Sequence, residues 1–311
     1  MTGTTVINRM IIVNCIGGLG NQMFQYALGR ALSLRRKVPF CLDAADFDWY
    51  ELREYQLEKF FSLKAALASP SEVRKVLGFR ALPWARKLLL KKRFQAFRGK
   101  KLIIEPQIAY WPPVLEAPED CYLIGHWFSE KYFKDFEDVI RADFSFKTPL
   151  SGLNAELGAQ TRASASVSVH VRRGDMANDP ATLAVHGVCS PGYYRAAAAH
   201  IAKSVENPEF FVFSDDIQWA KENIALGPRC RYIDHNKGED AHNDMRLMSL
   251  CRHHIVANSS FSWWGAWLNP DPRKIVVAPE RWFATDWDSS DIVPQSWTRI
   301  PDPEAGGHSA N

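Results

Sequence analysis

The chain is 311 residues long, 46% hydrophobic, and carries a formal net charge of +3. That length suits two lobes of about 150 residues, each with its own core, and the apolar content disfavours disorder. No stretch approaches the ~20 apolar residues of a membrane-spanning helix, and the opening MTGTTVINRMIIVNCIGG lacks the basic region and long apolar core of a secretory leader.

Six scattered cysteines with no Cys-x-x-Cys pair read as reduced thiols of a cytosolic protein. The small net charge conceals an asymmetry, because residues 73–104 hold eleven Lys or Arg and no Asp or Glu. With the whole chain at +3 and this segment at +11, the remainder is −8. A uniformly basic nucleic-acid binder is excluded, whereas one local basic surface is not.

In chain order, MIIVNC (10–15) predicts a strand, GGLGNQ a glycine turn, MFQYALGRALSLRRK a helix and PFCLDA (39–44) the next strand. Residues 45–120 mix short helical stretches, the basic segment and the Pro-rich WPPVLEAPED without clear periodicity. CYLIGHW (121–127) predicts a buried strand, and SEKYFKDFEDVIRADF a helix with Ser129 as its N-cap. A polar, small-residue boundary follows near 150–165, giving domains of 1–155 and 156–311. The second half predicts strands at SVSVHV (166–171), EFFVFSDD (209–216), RYIDH, HIVANSS and KIVVAP, alternating with helices at 191–206, EDAHNDMRLMSLCRH and SWWGAWLNP. Such alternation implies α/β architecture with parallel sheets: two Rossmann-like halves facing a central cleft, with ligands at the carboxyl ends of the strands.

Three segments could carry chemistry. In GGLGNQ, Gly18 and Gly20 allow close backbone approach to a ligand and leave helix N–H groups facing an anion. With Asp43 about twenty residues on they also fit the start of a dinucleotide fingerprint, but Met23 stands at the third glycine position. HVRRGDM (170–176) follows a strand directly. Strand alternation points His170 and Arg172 one way and Arg173 the other, so Arg172 can clamp a diphosphate while Arg173 pairs with a carboxylate such as Asp175. In the third segment, Asp244 could accept the N1–H and N2–H of a guanine, and Asn258-Ser259-Ser260 opens a helix toward phosphate. Trp263, Trp264 and Trp267 fit either core packing or sugar stacking. Asp46-Phe47-Asp48 and Asp215-Asp216 are weak metal signals, and no hydrolase or Walker motif is present.

Together these blocks resemble the α1,2-fucosyltransferases, glycosyltransferase family 11. The resemblance rests on GGLGNQMFQYALGRALS, GHWFSEKYF (125–133), HVRRGD (170–175), FSDD (213–216) and the run ending NSSFSWWGAWL, in order over residues 11–268. It implies a GT-B-like fold, a GDP-β-L-fucose donor, and inverting transfer to the 2-hydroxyl of a galactose-type glycan without a required metal or other cofactor. Carried over by position, Arg172 holds the pyrophosphate, and His170, Asp215, Asp244 and Asn258 line the donor site with Gly18 and Gly20. Ser259, Ser260, Phe261 and Ser262 complete the phosphate and base pocket. Asn21 faces fucose or acceptor, and Gln22, His126 and Glu130 stand on the acceptor side. His126 and Phe128 depart from the family's more usual Gly-Tyr-Trp-Gln, which bears on acceptor preference. Asp175, Glu130 and His126 are the candidates for the general base.

The rival readings are a nicotinamide oxidoreductase built on Gly18, Gly20 and Asp43, and a non-enzymatic carbohydrate binder built on the tryptophans. The expected location is a bacterial cytoplasm, with the 73–104 segment either a solvated face or a peripheral contact with the anionic inner membrane, where a lipid-linked acceptor would lie.

Overall fold

The computed structural model describes residues 9–49 and 52–304, except the side chain of Asp175. The chain divides into two compact units between Ser145 and Phe146. This replaces the expected boundary at 155, which lies inside the helix Gly152–Ala163.

The N-terminal unit contains strands β1 (Ile11–Asn14), β2 (Phe40–Asp43), β3 (Ala66–Leu67), β4 (Leu102–Ile104) and β5 (Cys121–Ile124) in the order β3-β2-β1-β5-β4. Every pairing is parallel. β1 and β2 are apolar up to their last residues, Asn14 and Asp43, because helices cover the sheet faces, and all eight of their residues are buried. The helix Leu19–Arg36 returns the chain from β1 to β2. It starts after Gly17, whose φ of +89° only glycine adopts without strain, and a Cβ there would lie 2.7 Å from the Asn21 side chain. It stops at Lys37, which turns left-handed and donates its N–H to Ser33 O, with Arg35 and Arg36 in the last turn facing the negative end of the dipole.

The C-terminal unit contains β6 (Ser166–Val171), β7 (Glu209–Ser214), β8 (Cys230–Ile233), β9 (His253–Ile255), β10 (Val276–Pro279) and β11 (Thr298–Ile300), again all parallel, in the order β11-β10-β9-β6-β7-β8. Its core joins Val167, Val169 and Val212 to Tyr193, Ala197 and Ile201 of the helix Pro191–Ala202. Trp263, Trp264 and Trp267 are also fully buried; Trp263 stacks on Trp267 at 6.1 Å, and Trp264 meets both edge-on. They are packing residues, which removes the basis for sugar stacking.

The expected long helix after Ser129 is broken. Ser129 caps only a single 3-10 turn, Glu130–Tyr132; a second turn follows at Lys134–Phe136, and the α-helix proper is Glu137–Asp143. The interruption lets Tyr132 and Phe133 both enter the core, where they pack on Trp127 and Phe24 respectively. The basic segment is likewise not one helix. It runs through the helices Pro70–Leu77 and Pro83–Leu89 and the 3-10 turn Lys92–Phe97 into β4. All six cysteines are free thiols. No helix among the described residues is long and apolar enough to cross a membrane.

Candidate functional site

Each sheet reverses its winding direction once, and in an open parallel sheet that reversal opens a crevice at the strand ends. In the C-terminal unit the reversal lies between β6, which continues through β7 to β8, and β9, which continues through β10 to β11. The end of β6 and the loop after it carry His170–Arg173, the loop after β9 and the helix it opens carry Asn258–Ser262, and the two meet where His170 and Phe261 approach to 5.7 Å between rings.

His170 is buried and titrates near pH 3, pushed down by desolvation and by the neighbouring Arg172 cation, so it is a neutral imidazole. Its Nδ1 is buried without a hydrogen-bond partner among the described residues. A buried polar atom without a partner carries a cost that a ligand can relieve.

Arg172 is held by the Asp215 carboxylate, whose other oxygen accepts the Arg173 backbone N–H at 2.8 Å. A Cβ on Gly174 would lie 2.4 Å from Asp215, so glycine is what lets this turn close onto the carboxylate. Asp215, expected to line the donor site, faces the Arg172 guanidinium. The carboxylate positions Arg172 through one guanidinium nitrogen. Arg173 takes the structural role: its guanidinium lies 3.8 Å over the Trp219 ring and 3.9 Å from Asp216. The Asp175 side chain lies outside the described residues.

Asp244 sits in the first turn of the helix His242–Leu250, which packs against the helix Ser260–Trp267 through Met248 and Gly265. Burial raises its carboxyl to about 7, opposed by a 2.7 Å hydrogen bond from Asn236 Nδ2. Asn236 is fixed in turn by a pair of amide hydrogen bonds to Asn154, at 2.8 and 3.0 Å. A carboxylate held this way has unused acceptor capacity and gains from a partner with two donors.

The Asn258–Ser262 segment divides by role. Asn258 is buried, and its amide donates to the carbonyls of His186 (2.8 Å), Trp282 (3.2 Å) and Gly187 (3.3 Å), so its side chain ties loops together rather than facing a donor. Ser262 is also turned inward, donating to Ser259 O at 3.2 Å. Ser259 is the N-cap residue and makes no side-chain cap. The backbone N–H groups of Ser260 and Phe261 open the helix, where the dipole favours an anion.

In the N-terminal unit the reversal lies between β1, which continues to β2 and β3, and β5, which is flanked by β4. The Gly17–Asn21 turn and the Gly125–Phe128 loop leave these strands. Gln25, which sequence reasoning overlooked, joins them: its Oε1 accepts Ile16 N–H (3.0 Å) and its Nε2 donates to Gly125 O (3.1 Å). Phe24 meets Phe128 edge-on at 5.3 Å, and Phe128 stacks on His126 at 5.0 Å. Gln22, expected on the acceptor side, is fully buried. Its Nε2 donates to Gly17 O and Glu54 O, both at 2.8 Å, and its Oε1 accepts Gln56 N–H at 3.0 Å. It fixes the 54–56 segment against the glycine turn. Asn21 is partly exposed at the helix start. Glu130 is buried beside Lys134 at 3.3 Å.

Glu105, just past β4, is the other residue that sequence reasoning missed. Its two carboxylate oxygens accept the backbone N–H groups of His126 (2.6 Å) and Trp127 (2.9 Å). Trp127 is held at φ +60°, uncommon for a bulky residue, and Gly125 has no room for a Cβ because Glu105 lies 2.4 Å from where it would be. Burial raises the Glu105 carboxyl to about 7 against the lowering pull of those two N–H groups. No sequence pattern marks it, since its partners lie about twenty residues away.

Asp43 is buried and bonded to Arg86 (3.0 Å) and Tyr122 (2.5 Å), so it is occupied where a dinucleotide fingerprint would need it for a ribose. Asp46 accepts from Asn14 at 2.9 Å and lies 3.9 Å from Arg86.

Two parallel α/β units in one chain, each with polar loops at its switch point, define a GT-B-like glycosyltransferase fold. The solved NodZ α-1,6-fucosyltransferase soaked with GDP-fucose has this fold, with a TM-score of 0.53, 15% identity, and coverage of 87% of this chain and 95% of its own. The chain belongs to glycosyl transferase family 11, whose model matches residues 107–301. It is 36% identical over 302 residues to an Escherichia coli alpha-1,2-colitosyltransferase, covering 94% of this chain and 99% of that one. It is 30% identical over 300 residues to the E. coli O-antigen biosynthesis glycosyltransferase WbnK, covering 91% and 98%. A rabbit (Oryctolagus cuniculus) galactoside alpha-(1,2)-fucosyltransferase 2 is 25% identical over 296 residues, covering 89% and 76%. The oxidoreductase and carbohydrate-module readings give way to that of a glycosyltransferase.

Proposed function

We propose that this glycosyltransferase moves L-fucose from GDP-β-L-fucose to the 2-hydroxyl of a galactose-type glycan, with inversion at the anomeric carbon. The observation that carries this reading is the end of β6, where a neutral His170, its buried Nδ1 without a hydrogen-bond partner among the described residues, and a carboxylate-steered Arg172 meet the start of the helix Ser260–Trp267.

In the reaction the acceptor oxygen attacks C1 as the bond from C1 to the β-phosphate oxygen breaks, and the electron pair leaves with GDP. Negative charge then grows on the diphosphate. Arg172 and the Ser260 and Phe261 N–H groups are placed beforehand to receive it, which is commonly the largest catalytic contribution. Asp244 in its ionised form accepts the two donors on the Watson–Crick edge of guanine and so selects the base. No step in this scheme needs a metal. Asn21 and His126 serve the acceptor side. The acceptor proton passes to a base, for which Asp175, Glu130 and His126 are the candidates. Of these, Glu130 already faces Lys134.

The test is incubation with GDP-fucose and a panel of β-galactosides in EDTA, following GDP release and an α1,2-linked product. GDP release with a galactoside and none without it supports the assignment, and loss of activity in EDTA overturns its metal independence. A colitosyl donor is the second reading, favoured by the 36% identical relative. Colitose is L-fucose without its 3-hydroxyl, so competition between GDP-colitose and GDP-fucose separates the two. Turnover with GDP-colitose alone would replace fucose in the assignment.

A further inference from the structure

The basic segment gains a second property from the fold. The helix Pro83–Leu89 buries Ala85 and Leu89, four residues apart, on one stripe and exposes Trp84 and Leu88, also four apart, on the next. Trp84 is 65% exposed, Phe79 60% and Phe97 64%. Large aromatic residues are seldom left so open on a soluble surface, and here three occur within one short stretch.

These aromatics do not hang on loose chain. Arg80 lies 4.7 Å over the Phe79 ring and donates to Phe97 O at 2.7 Å, and Arg98 donates to Leu89 O at 2.9 Å. Arginines thus brace the 3-10 turn Lys92–Phe97 against the elements before it. Arg86 is likewise internal, paired with Asp43. With these three serving the fold, Lys87, Lys91, Lys92, Arg93 and Lys100 remain as exposed cations around the aromatics. The segment contains no acid to neutralise them, while the rest of the chain is −8.

We propose that this face of the N-terminal unit docks on an anionic lipid bilayer, with Trp84, Phe79 and Phe97 entering the headgroup layer and the flanking cations binding anionic headgroups. The polar-edged indole of Trp84 favours that layer, Phe79 and Phe97 add apolar surface that gains from entering it, and clustered cations favour its negative potential. A duplex nucleic acid, with its bases already stacked, would use the cations but leave the Trp84–Leu88 stripe in water. The inference concerns no catalytic group and holds whichever sugar is transferred.

The test is co-sedimentation of the full chain with vesicles of phosphatidylcholine alone and of phosphatidylcholine with about one third phosphatidylglycerol, at low and high salt. Binding is expected only to the anionic vesicles, and salt should weaken it. Replacing Lys91, Lys92 and Arg93 by Gln should weaken binding about a hundredfold, taking roughly fivefold for each cation. Trp84→Ser, a milder change on an exposed site, should weaken it several-fold with unchanged thermal melting. Equal binding to neutral vesicles, indifference to the Gln substitutions or to Trp84→Ser, or capture by heparin without vesicle binding would each overturn the proposal.

Discussion

Asp244→Asn separates stability from recognition at one buried atom. The carboxyl is raised from 3.8 to about 7, first by desolvation. The folded protein therefore holds this proton more tightly than the unfolded chain. The group's contribution to stability is complete below about pH 3.8, falls as pH rises, and is lost once pH passes about 7. At 1.36 kcal/mol per unit, keeping Asp244 ionised in the ligand-free protein at pH 8 costs roughly 4 kcal/mol. Asparagine removes that charge and keeps an acceptor for Asn236, whose bond to the carboxylate is already included in the value of about 7. The variant should thus be up to about 4 kcal/mol more stable than the wild type at pH 8 and near parity at pH 4, measured by urea unfolding.

Its nucleotide binding should move the other way. The amide offers a donor toward guanine N1–H and N2–H, so GDP affinity should fall by about 10- to 100-fold. Xanthosine diphosphate, with an oxygen in place of the 2-amino group, should lose far less. In the wild type, GDP affinity should fall about tenfold from pH 8 to pH 6 as the carboxylate gains its proton. A variant that binds GDP like the wild type, or is destabilised at pH 8, would refute the reasoning.

Three further outcomes follow from the packing. Arg172→Ala should lower transfer by ~10²–10³ and weaken GDP binding, whereas Arg173→Ala should act mainly on thermal stability; wild-type turnover in Arg172→Ala sinks the donor-site assignment. Glu105→Gln presents one acceptor where two backbone N–H groups need two, so the 125–128 loop should loosen by about 1–3 kcal/mol. Steady-state kinetics should show a raised KM for the acceptor with GDP affinity unchanged, and an unmoved acceptor KM would remove Glu105 as a positioning residue. Gly29→Ala places a Cβ 2.8 Å from Phe40 and Val13, and calorimetry should show a loss of about 1–3 kcal/mol with activity retained per folded molecule.

The switch-point architecture was legible because β1, β2 and β7 are mostly apolar runs, β6 alternates with period two, and β9 opens the apolar HIVA, each leading into a glycine or polar turn. Three short strands, β3, β4 and β11, escaped notice because two or three residues carry no periodicity. The same limit explains the break after Ser129, where the pattern of 129–144 permits a helix and the burial of Tyr132 and Phe133 forbids it.

For the site, the sequence by itself determined where chemistry is placed: His170 and Arg172 at a strand end, Asp244 in a first helical turn, and a polar helix start at Ser259-Ser260. Tertiary structure alone decided what each side chain does there. Asp215 became a guide for Arg172, Gln22 and Asn258 became ties between loops, Asp43 became a partner of Arg86, and the tryptophans became core. The physical reason is common to all of them. A buried polar group must find its partner in space, and these partners lie tens of residues away along the chain, where neither spacing nor composition can name them.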